Sequence, residues 1–473
     1  MKYEELRKKY PKFIYQKYSY QVSGNNLEIF FDFRIEPNIR FKPKVVIENV
    51  PKNKCLRWNL KHLGNLVFHL GLMEIPSYWK ATCSPEIIIK AGSLNREQIR
   101  WWKDLIMNGM GQIFYENKIP FQSPKIISPV RINKYTGVEL FIQKEGGYLV
   151  PVGGGKDSVV TLEILKKTKK ELSSFSLNPT RAAEKIMAVA GCKNPIIVRR
   201  KIDEKLLELN RQGFLNGHTP FSAYLAFLSV LVAVIFGQKY IAFSNERSSN
   251  EGNVEYLGKT INHQWSKSFE FEQKFRKYSK KYLAKNIEYF SFLRPLYEIQ
   301  IAKLFSKFPK YFPAFLSCNV AYQTASGTKK PTKKWCGNCP KCLFVFATLY
   351  PFTDEKKLIK VWGKNLFENK ELSPTMQELM GERKFKPFEC VGTKKESRVA
   401  FYLSWGKLKN LNFYPGREKV KLLYLLKYFE KKILPKYPNL EKDSKKILNS
   451  WNNQHNLLKG FEKILKKELS KKS

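Results

Sequence analysis

The chain has 473 residues, enough for two or three domains, and its 43% hydrophobic and 14% aromatic content excludes wholesale disorder. Lysine and arginine number 85 against 41 acidic residues, giving a formal net charge of +44. Such a field favours anionic partners: nucleic acid, phosphorylated metabolites or an acidic membrane surface. The excess is mostly lysine spread along the chain, which points to a generally basic surface rather than one dedicated patch.

Residues 1–145 read as an α+β domain. Phe13–Val22, Leu27–Phe33 and Phe41–Ile47 have strand character, with Ser23-Gly24-Asn25-Asn26 as a turn. Asn59–Met73 and Asn95–Phe114 read as helices. Between them lies Pro76–Cys83, a polar and aromatic segment containing Tyr78, Trp79 and Lys80.

From residue 146 to 350 strands and helices alternate: Tyr148–Val152, Leu172–Leu177, Ile196–Arg200 and Tyr240–Ser244 as strands, with helices over Ser158–Lys170, Pro179–Ala190, Glu204–Gln212 and Pro220–Phe236. This alternation predicts an α/β fold with a parallel sheet covered on both faces, whose ligands bind at the carboxyl ends of the strands. Residues 351–473 read as a mostly helical, Lys-rich region, with helices over Lys419–Lys432 and Gly460–Ser470.

The strongest signal is Val152-Gly153-Gly154-Gly155-Lys156-Asp157-Ser158, which leaves a strand and opens a helix. Three glycines let the backbone approach a phosphate and present N–H groups to it, beside the positive end of the helix dipole. Ser158 can donate to a phosphate oxygen, and Asp157 can fix the loop or help hold Mg²⁺. The spacing is neither that of a Walker A loop nor Gly-x-Gly-x-x-Gly. It resembles the Ser-Gly-Gly-x-Asp-Ser loop of the PP-loop ATP pyrophosphatases, with Gly153 in place of the first serine. That resemblance implies a PP-loop (HUP-like) ATP-binding domain, with Gly153, Gly154, Gly155, Lys156, Asp157 and Ser158 at the ATP.

Two polar segments follow. Asn216–Pro220 places His218 beside a helix start, with Thr219 as the expected N-cap. Ser244–Asn253 directly follows a buried strand, as a substrate-reading loop would. Ser244, Asn245, Glu246, Arg247 and Ser248 are its candidate contacts, joined by Asn262 and Gln264 from the donor-rich, aromatic segment Ile261–Glu270.

Eight cysteines in a chain of this length do not make a disulfide scaffold. Cys336, Cys339 and Cys342, with Cys318 upstream, have the spacing of a thiolate site for structural Zn²⁺ or, second, an iron–sulfur cluster. The pattern is similar to that of the PP-loop enzyme 7-cyano-7-deazaguanine synthase. Cys55, Cys83, Cys192 and Cys390 read as ordinary thiols.

Taken together, Phe68–Lys80, Pro151–Ser158, Phe243–Asn253, Asn262–Glu270 and Trp335–Phe346 resemble the MurL family of UDP-N-acetyl-α-D-muramoyl-L-alanyl-L-glutamate epimerases. The resemblance implies an ATP- and Mg²⁺-dependent isomerase acting on a small-molecule UDP-sugar peptide in peptidoglycan precursor synthesis. It implies inversion of a terminal L-Glu to D-Glu, with release of AMP and diphosphate. Activation of the carboxylate as an acyl-adenylate suits that reaction, because a charged carboxylate resists loss of the neighbouring α-proton. Tyr78, Trp79 and Lys80 join the substrate contacts on this reading. His218 and His263 are the first candidates for proton transfer, with Lys267 and Glu246 behind them. The substrate and ATP together leave most of the +44 charge without a role.

Two other readings share the residues. One is a PP-loop ATP pyrophosphatase acting on tRNA or a nucleobase precursor, which the basic charge favours. The other is a non-catalytic nucleic-acid-binding protein, against which the intact Gly154–Ser158 loop argues. The charged start Met1–Arg7 lacks an apolar signal-peptide core. The longest apolar stretch, Ala223–Gly237, falls short of the roughly 20 residues a bilayer span needs. No membrane insertion and a cytoplasmic location are therefore expected.

Overall fold

The computed structural model describes residues 2–51, 60–129, 146–322, 332–411 and 422–471. Cys55 and the start of the expected 419–432 helix lie outside the described residues, and the expected boundary at 145 falls at the end of one such gap.

A long hairpin opens the chain. Strands β1 (Lys12–Ser23) and β2 (Asn26–Ile35) pair antiparallel around the Gly24 turn, where φ is +59°. The single strand expected over 41–47 is two, β3 (Ile39–Phe41) and β4 (Lys44–Ile47). Pro43 breaks it, because proline has no N–H to give to a ladder. Two short strands, β5 (Glu86–Ile89) and β6 (Lys125–Ile127), extend the sheet in parallel from β1.

The second half supplies β7 (Tyr148–Pro151), β8 (Leu172–Leu177), β9 (Ile196–Lys201), β10 (Tyr240–Phe243), a small separate hairpin β11 (Val254–Tyr256) and β12 (Lys259–Ile261), and β13 (Glu288–Ser291). The sheet order is β13-β10-β7-β8-β9-β4-β2-β1-β5-β6, with β3 beside β2. The β13 to β9 run is parallel throughout. Antiparallel pairing of β4 with β9, Lys44 opposite Lys201 and Ile47 opposite Val198, welds both halves into one mostly parallel sheet.

Alternate residues of the central strands point to opposite faces, as the pleat requires. Leu149, Ile241 and Tyr289 enter one core, with helices Leu60–Trp79 and Phe221–Phe236. Val150, Ala242 and Phe290 enter a second core, with helices Lys156–Lys166, Glu298–Phe305 and Pro340–Leu349. The molecule is therefore a mixed α/β protein with helices on both faces. Helix Leu60–Trp79 outruns its expected end at Met73 and continues through Pro76. Among the described residues no helix is long and apolar enough to cross a membrane.

Candidate active site

Parallel neighbours end on the same edge, so the segments after β7, β10 and β13 converge. The first is the glycine loop. Gly154 sits at φ +97°, and a Cβ there would lie 3.0 Å from Ala182 Cβ and 3.1 Å from Ala183 N, so only glycine fits. Gly153 has no atom within 4 Å of where its Cβ would be, leaving one side of the loop open to a phosphate. Ser158 Oγ donates to the Gly155 carbonyl at 3.0 Å, tying the loop to the first turn of its helix.

Lys156 turns inward. Its Nζ is paired with Asp157 Oδ1 at 2.5 Å and with Glu298 Oε2. Burial disfavours the ammonium, but Asp157 and Glu298 outweigh it and hold Lys156 charged well above its ordinary range. Glu246, from the segment after β10, completes a trio: one carboxylate oxygen each from Asp157, Glu246 and Glu298 lie within 4.8 Å of one another. Burial pushes the Glu298 carboxyl up, and the negative charge of Asp157 adds to it. Lys341 Nζ stands 3.9 Å from the other Glu298 oxygen. Sequence reasoning missed Glu298, which sits in the first turn of a helix with no motif around it.

Arg294 fastens these segments from beneath. Fully buried, it donates to the Glu246 carbonyl at 2.6 Å, Ser249 Oγ at 3.0 Å and Glu272 Oε2 at 3.2 Å, and also to the Lys267 carbonyl. One planar guanidinium thus positions the backbone of two candidate catalytic residues.

The histidines come together. His218 and His263 have ring centroids 4.3 Å apart, and Gln112 Oε1 lies 2.5 Å from His263 Nδ1. Burial lowers both imidazoles; His263, further opposed by Lys267, drops to about 3. Lys80 reaches the same corner, its Nζ donating to Asn216 Oδ1 at 2.7 Å and the Gly217 carbonyl at 3.1 Å. Burial brings Lys80 down to about 8. Thr219 is not the cap of the next helix; Pro220 holds that position with no side-chain bond.

The remaining candidate contacts divide into two groups. Asn245 (to Ser291 Oγ, 3.2 Å), Ser248 (accepting from the Glu298 N–H, 3.3 Å) and Asn262 (to the Ser249 carbonyl, 2.9 Å) brace the loops at the strand ends. Ser244 Oγ donates to Thr161 Oγ1 at 2.8 Å, and Arg247 lies 4.3 Å over the Tyr297 ring. Gln264 Nε2 donates to the Val391 carbonyl at 3.3 Å, while its buried Oε1 has no hydrogen-bond partner among the described residues. Tyr78 and Trp79 are not brought to this cluster. They are fully buried in the first core, where Tyr78 stacks on Phe33 and meets Phe41 at a tilt and Trp79 Nε1 donates to the Ser84 carbonyl at 2.8 Å.

The four expected cysteines meet. Their sulfurs lie within 4.8 Å of one another, with Cys318 3.8 Å from Cys339 and Cys336 3.7 Å from Cys342. A tetrahedron with Zn–S bonds of roughly 2.3 Å has edges of roughly 3.8 Å, so the set fits zinc. Gly337, at φ +70°, makes the tight turn that lets its N–H reach Cys342 Sγ at 3.3 Å. The segment ahead of Cys318 touches the glycine loop, with the Leu316 N–H bonded to the Gly154 carbonyl at 2.8 Å.

Comparison with known proteins adds the context for this geometry. Residues 4–292 match the MurL N-terminal domain and residues 314–409 the MurL C-terminal domain. The chain is 34% identical over 332 residues to the UDP-N-acetyl-alpha-D-muramoyl-L-alanyl-L-glutamate epimerase of Xanthomonas oryzae pv. oryzae, covering 70% of this chain and 72% of that one. It is 32% identical over 406 residues to the epimerase of the same name from Salinispora tropica, covering 85% and 86%. A Micromonospora epimerase of that name is 31% identical over 395 residues, covering 81% and 85%. The glycine loop, the paired histidines and the four cysteines fall inside the matched domains, with Glu298 of the carboxylate trio in the short stretch between them, and on that match the chain belongs to the MurL family.

Proposed function

We propose that this chain is an ATP-dependent epimerase inverting the terminal L-Glu of UDP-MurNAc-L-Ala-L-Glu to D-Glu, through an acyl-adenylate, with AMP and diphosphate as products. The shared name of three relatives supports the substrate. The observation that carries the ATP step is a glycine loop, open on one side, beside three carboxylates at the ends of parallel strands. The finer reading of the fold as a PP-loop ATP-binding domain, preceded by an α+β unit and followed by a helical Lys-rich region, rests on the same loop.

The chemistry explains why ATP is needed. Removing an α-proton beside a carboxylate places a second negative charge next to the first. Positioned acid–base groups contribute about 10²–10⁴ in rate, while enzymes commonly reach about 10⁶ or more. Adenylation removes the carboxylate charge and acidifies the α-carbon. The main-chain N–H groups of Gly153–Gly155 hold the phosphates. Asp157, Glu246 and Glu298 would hold Mg²⁺, and this hard oxygen donor set, crowded enough that burial raises the Glu246 carboxyl, suits it. When bound, Mg²⁺ supplies charge neutralisation at the phosphate oxygens. His218, His263 and Lys267 are the proton-transfer candidates in this reading, and Glu246, the fourth candidate, is taken up by the Mg²⁺ set.

Deuterium wash-in tests this reading. With UDP-MurNAc-L-Ala-L-Glu in D₂O, label is expected in the terminal Glu only when ATP and Mg²⁺ are both present, with AMP and diphosphate formed alongside. Wash-in at the full rate without ATP removes the adenylate step.

Cys318, Cys336, Cys339 and Cys342 would hold a structural zinc that secures the segment packed on the glycine loop. Protein purified without chelators is expected to carry about one zinc per chain by elemental analysis. Cys336→Ser is expected to lose the metal and lower the denaturation midpoint; absence of stoichiometric metal from the wild type refutes the site.

A further inference from the structure

Cys390 has no role in the account above. It lies between helices Ser373–Met380 and Lys394–Leu411, remote in sequence from the glycine loop. Three anchors carry its segment to the strand ends: Asn253 Nδ2 to the Pro387 carbonyl at 2.8 Å, Gln264 Nε2 to the Val391 carbonyl at 3.3 Å, and Lys341 Nζ to the Cys390 carbonyl. With the backbone fixed on both sides, Cys390 Sγ stands 3.0 Å from Lys267 Nζ and 4.0 Å from His263 Nε2.

Each neighbour is oriented. The amide oxygen of Gln112 at His263 Nδ1 assigns the proton to that nitrogen and leaves the Nε2 lone pair toward sulfur. The Lys267 ammonium lies against sulfur in a buried position. An ammonium beside a thiol favours the thiolate, and the imidazole lone pair beside it can accept the proton of the thiol form. Burial works against the Cys390 thiolate, yet Lys267 and Lys341 outweigh it and bring the thiol below its ordinary range. Cys83 shows the contrast: Sγ reaches the Lys80 carbonyl at 3.6 Å with no ammonium against it among the described residues, and burial pushes the thiol up to about 12. Beside Cys390, the unpartnered, buried Gln264 Oε1 offers an acceptor for a ligand N–H.

We propose that Cys390 is one of two proton-transfer residues of the epimerisation, serving one face of the glutamate α-carbon. The inference rests on the epimerase reading above. In the forward or the reverse direction, the thiolate takes the α-proton. The C–H electron pair moves into the activated carboxyl as an enolate, and a group on the other face returns a proton to carbon. In the opposite direction the Cys390 thiol gives its proton to that carbon and becomes the thiolate again. Groups on opposite faces, each roughly 3–3.5 Å from the carbon, stand roughly 6–7 Å apart. At 4.0 Å, Cys390 and His263 share one face. They form a single station, and the second face is served by a different group.

The test uses the full chain with Cys390→Ala and Cys390→Ser, following wash-in separately from the L-Glu and D-Glu substrates with ATP and Mg²⁺. Wash-in from one epimer is expected to fall by about 10²–10⁴ in both variants, while the other epimer still exchanges and AMP still forms by hydrolysis of the adenylate. Full-rate exchange from both epimers in either variant overturns the proposal. A wild type that forms no AMP refutes the epimerase reading instead. A second measurement needs no turnover. Iodoacetamide is expected to alkylate Cys390 faster than Cys192, which is also partly exposed, and Lys267→Met is expected to remove that advantage. Equal rates at the two cysteines in the wild type also overturn it.

Discussion

Asp157→Asn is expected to lower substrate-dependent diphosphate release by about 10²–10³-fold while leaving the fold intact, the usual effect of removing one preorganised electrostatic group. The Asp157 side chain keeps 26% of its exposure at the mouth of the cluster, and without its charge the buried Lys156 ammonium still has Glu298 as counter-charge. Glu298→Gln is expected to match it in activity but differ in stability. Glu298 is 2% exposed and partners Lys156, itself 3% exposed, with Lys341 close by. Removing the carboxylate leaves buried ammonium groups short of counter-charge, a change worth about 3–5 kcal/mol. Diphosphate release and urea unfolding, measured on both variants, separate the two effects. Wild-type release from Asp157→Asn would remove the loop from the reaction.

Arg294→Met is expected to cost about 3–5 kcal/mol in urea unfolding, since Glu272 is buried with it at 1% exposure. Methionine fills much of the volume but leaves the Glu246 and Lys267 carbonyls and the Glu272 carboxylate without their shared donor. Arg294→Lys is expected to recover little, because an ammonium cannot reach acceptors spread across the guanidinium plane. Activity at a temperature where the variant remains folded is the discriminating readout. A positioning role predicts a fall in kcat that exceeds the change in KM, as Glu246 and Lys267 lose their register. Normal kcat in the folded variant would reduce Arg294 to a purely structural part.

Signals confined to one stretch of chain were the ones legible in the sequence. The glycine loop announces itself because three consecutive glycines between a strand and a helix serve little else, and the cysteine spacing is local apart from Cys318. The β-α alternation from 146 onward pointed to a parallel sheet because each strand is followed by a helix that carries the chain back across it. Glu298, Arg294, Gln112 and Cys390 carry no such mark. Each is a single residue delivered by packing from a distant segment, and only the fold says that Cys390 meets Lys267 rather than solvent. Tyr78 and Trp79 erred in the other direction. Their aromatic, polar neighbourhood suggested a contact surface, whereas the helix runs on through Pro76 and turns them into the core. β13 escaped notice although β7 and β10 are as short, because neither a glycine loop nor a long apolar helix adjoins it in the sequence to frame it.

The antiparallel joint between β4 and β9 has a consequence during synthesis. Until Ile196–Lys201 leaves the ribosome, the N-terminal strands present the outer edge of β4, Lys44–Ile47, with its N–H and C=O groups unmatched. At about 5–20 residues per second, making residues 48–195 takes roughly 7–30 s, far longer than a hairpin needs to form. A nascent chain therefore carries a ready pairing template throughout that interval, and chaperone binding or Lys44 at the edge must keep it from another copy. Production of any fragment ending between 48 and 195 inherits that open edge permanently.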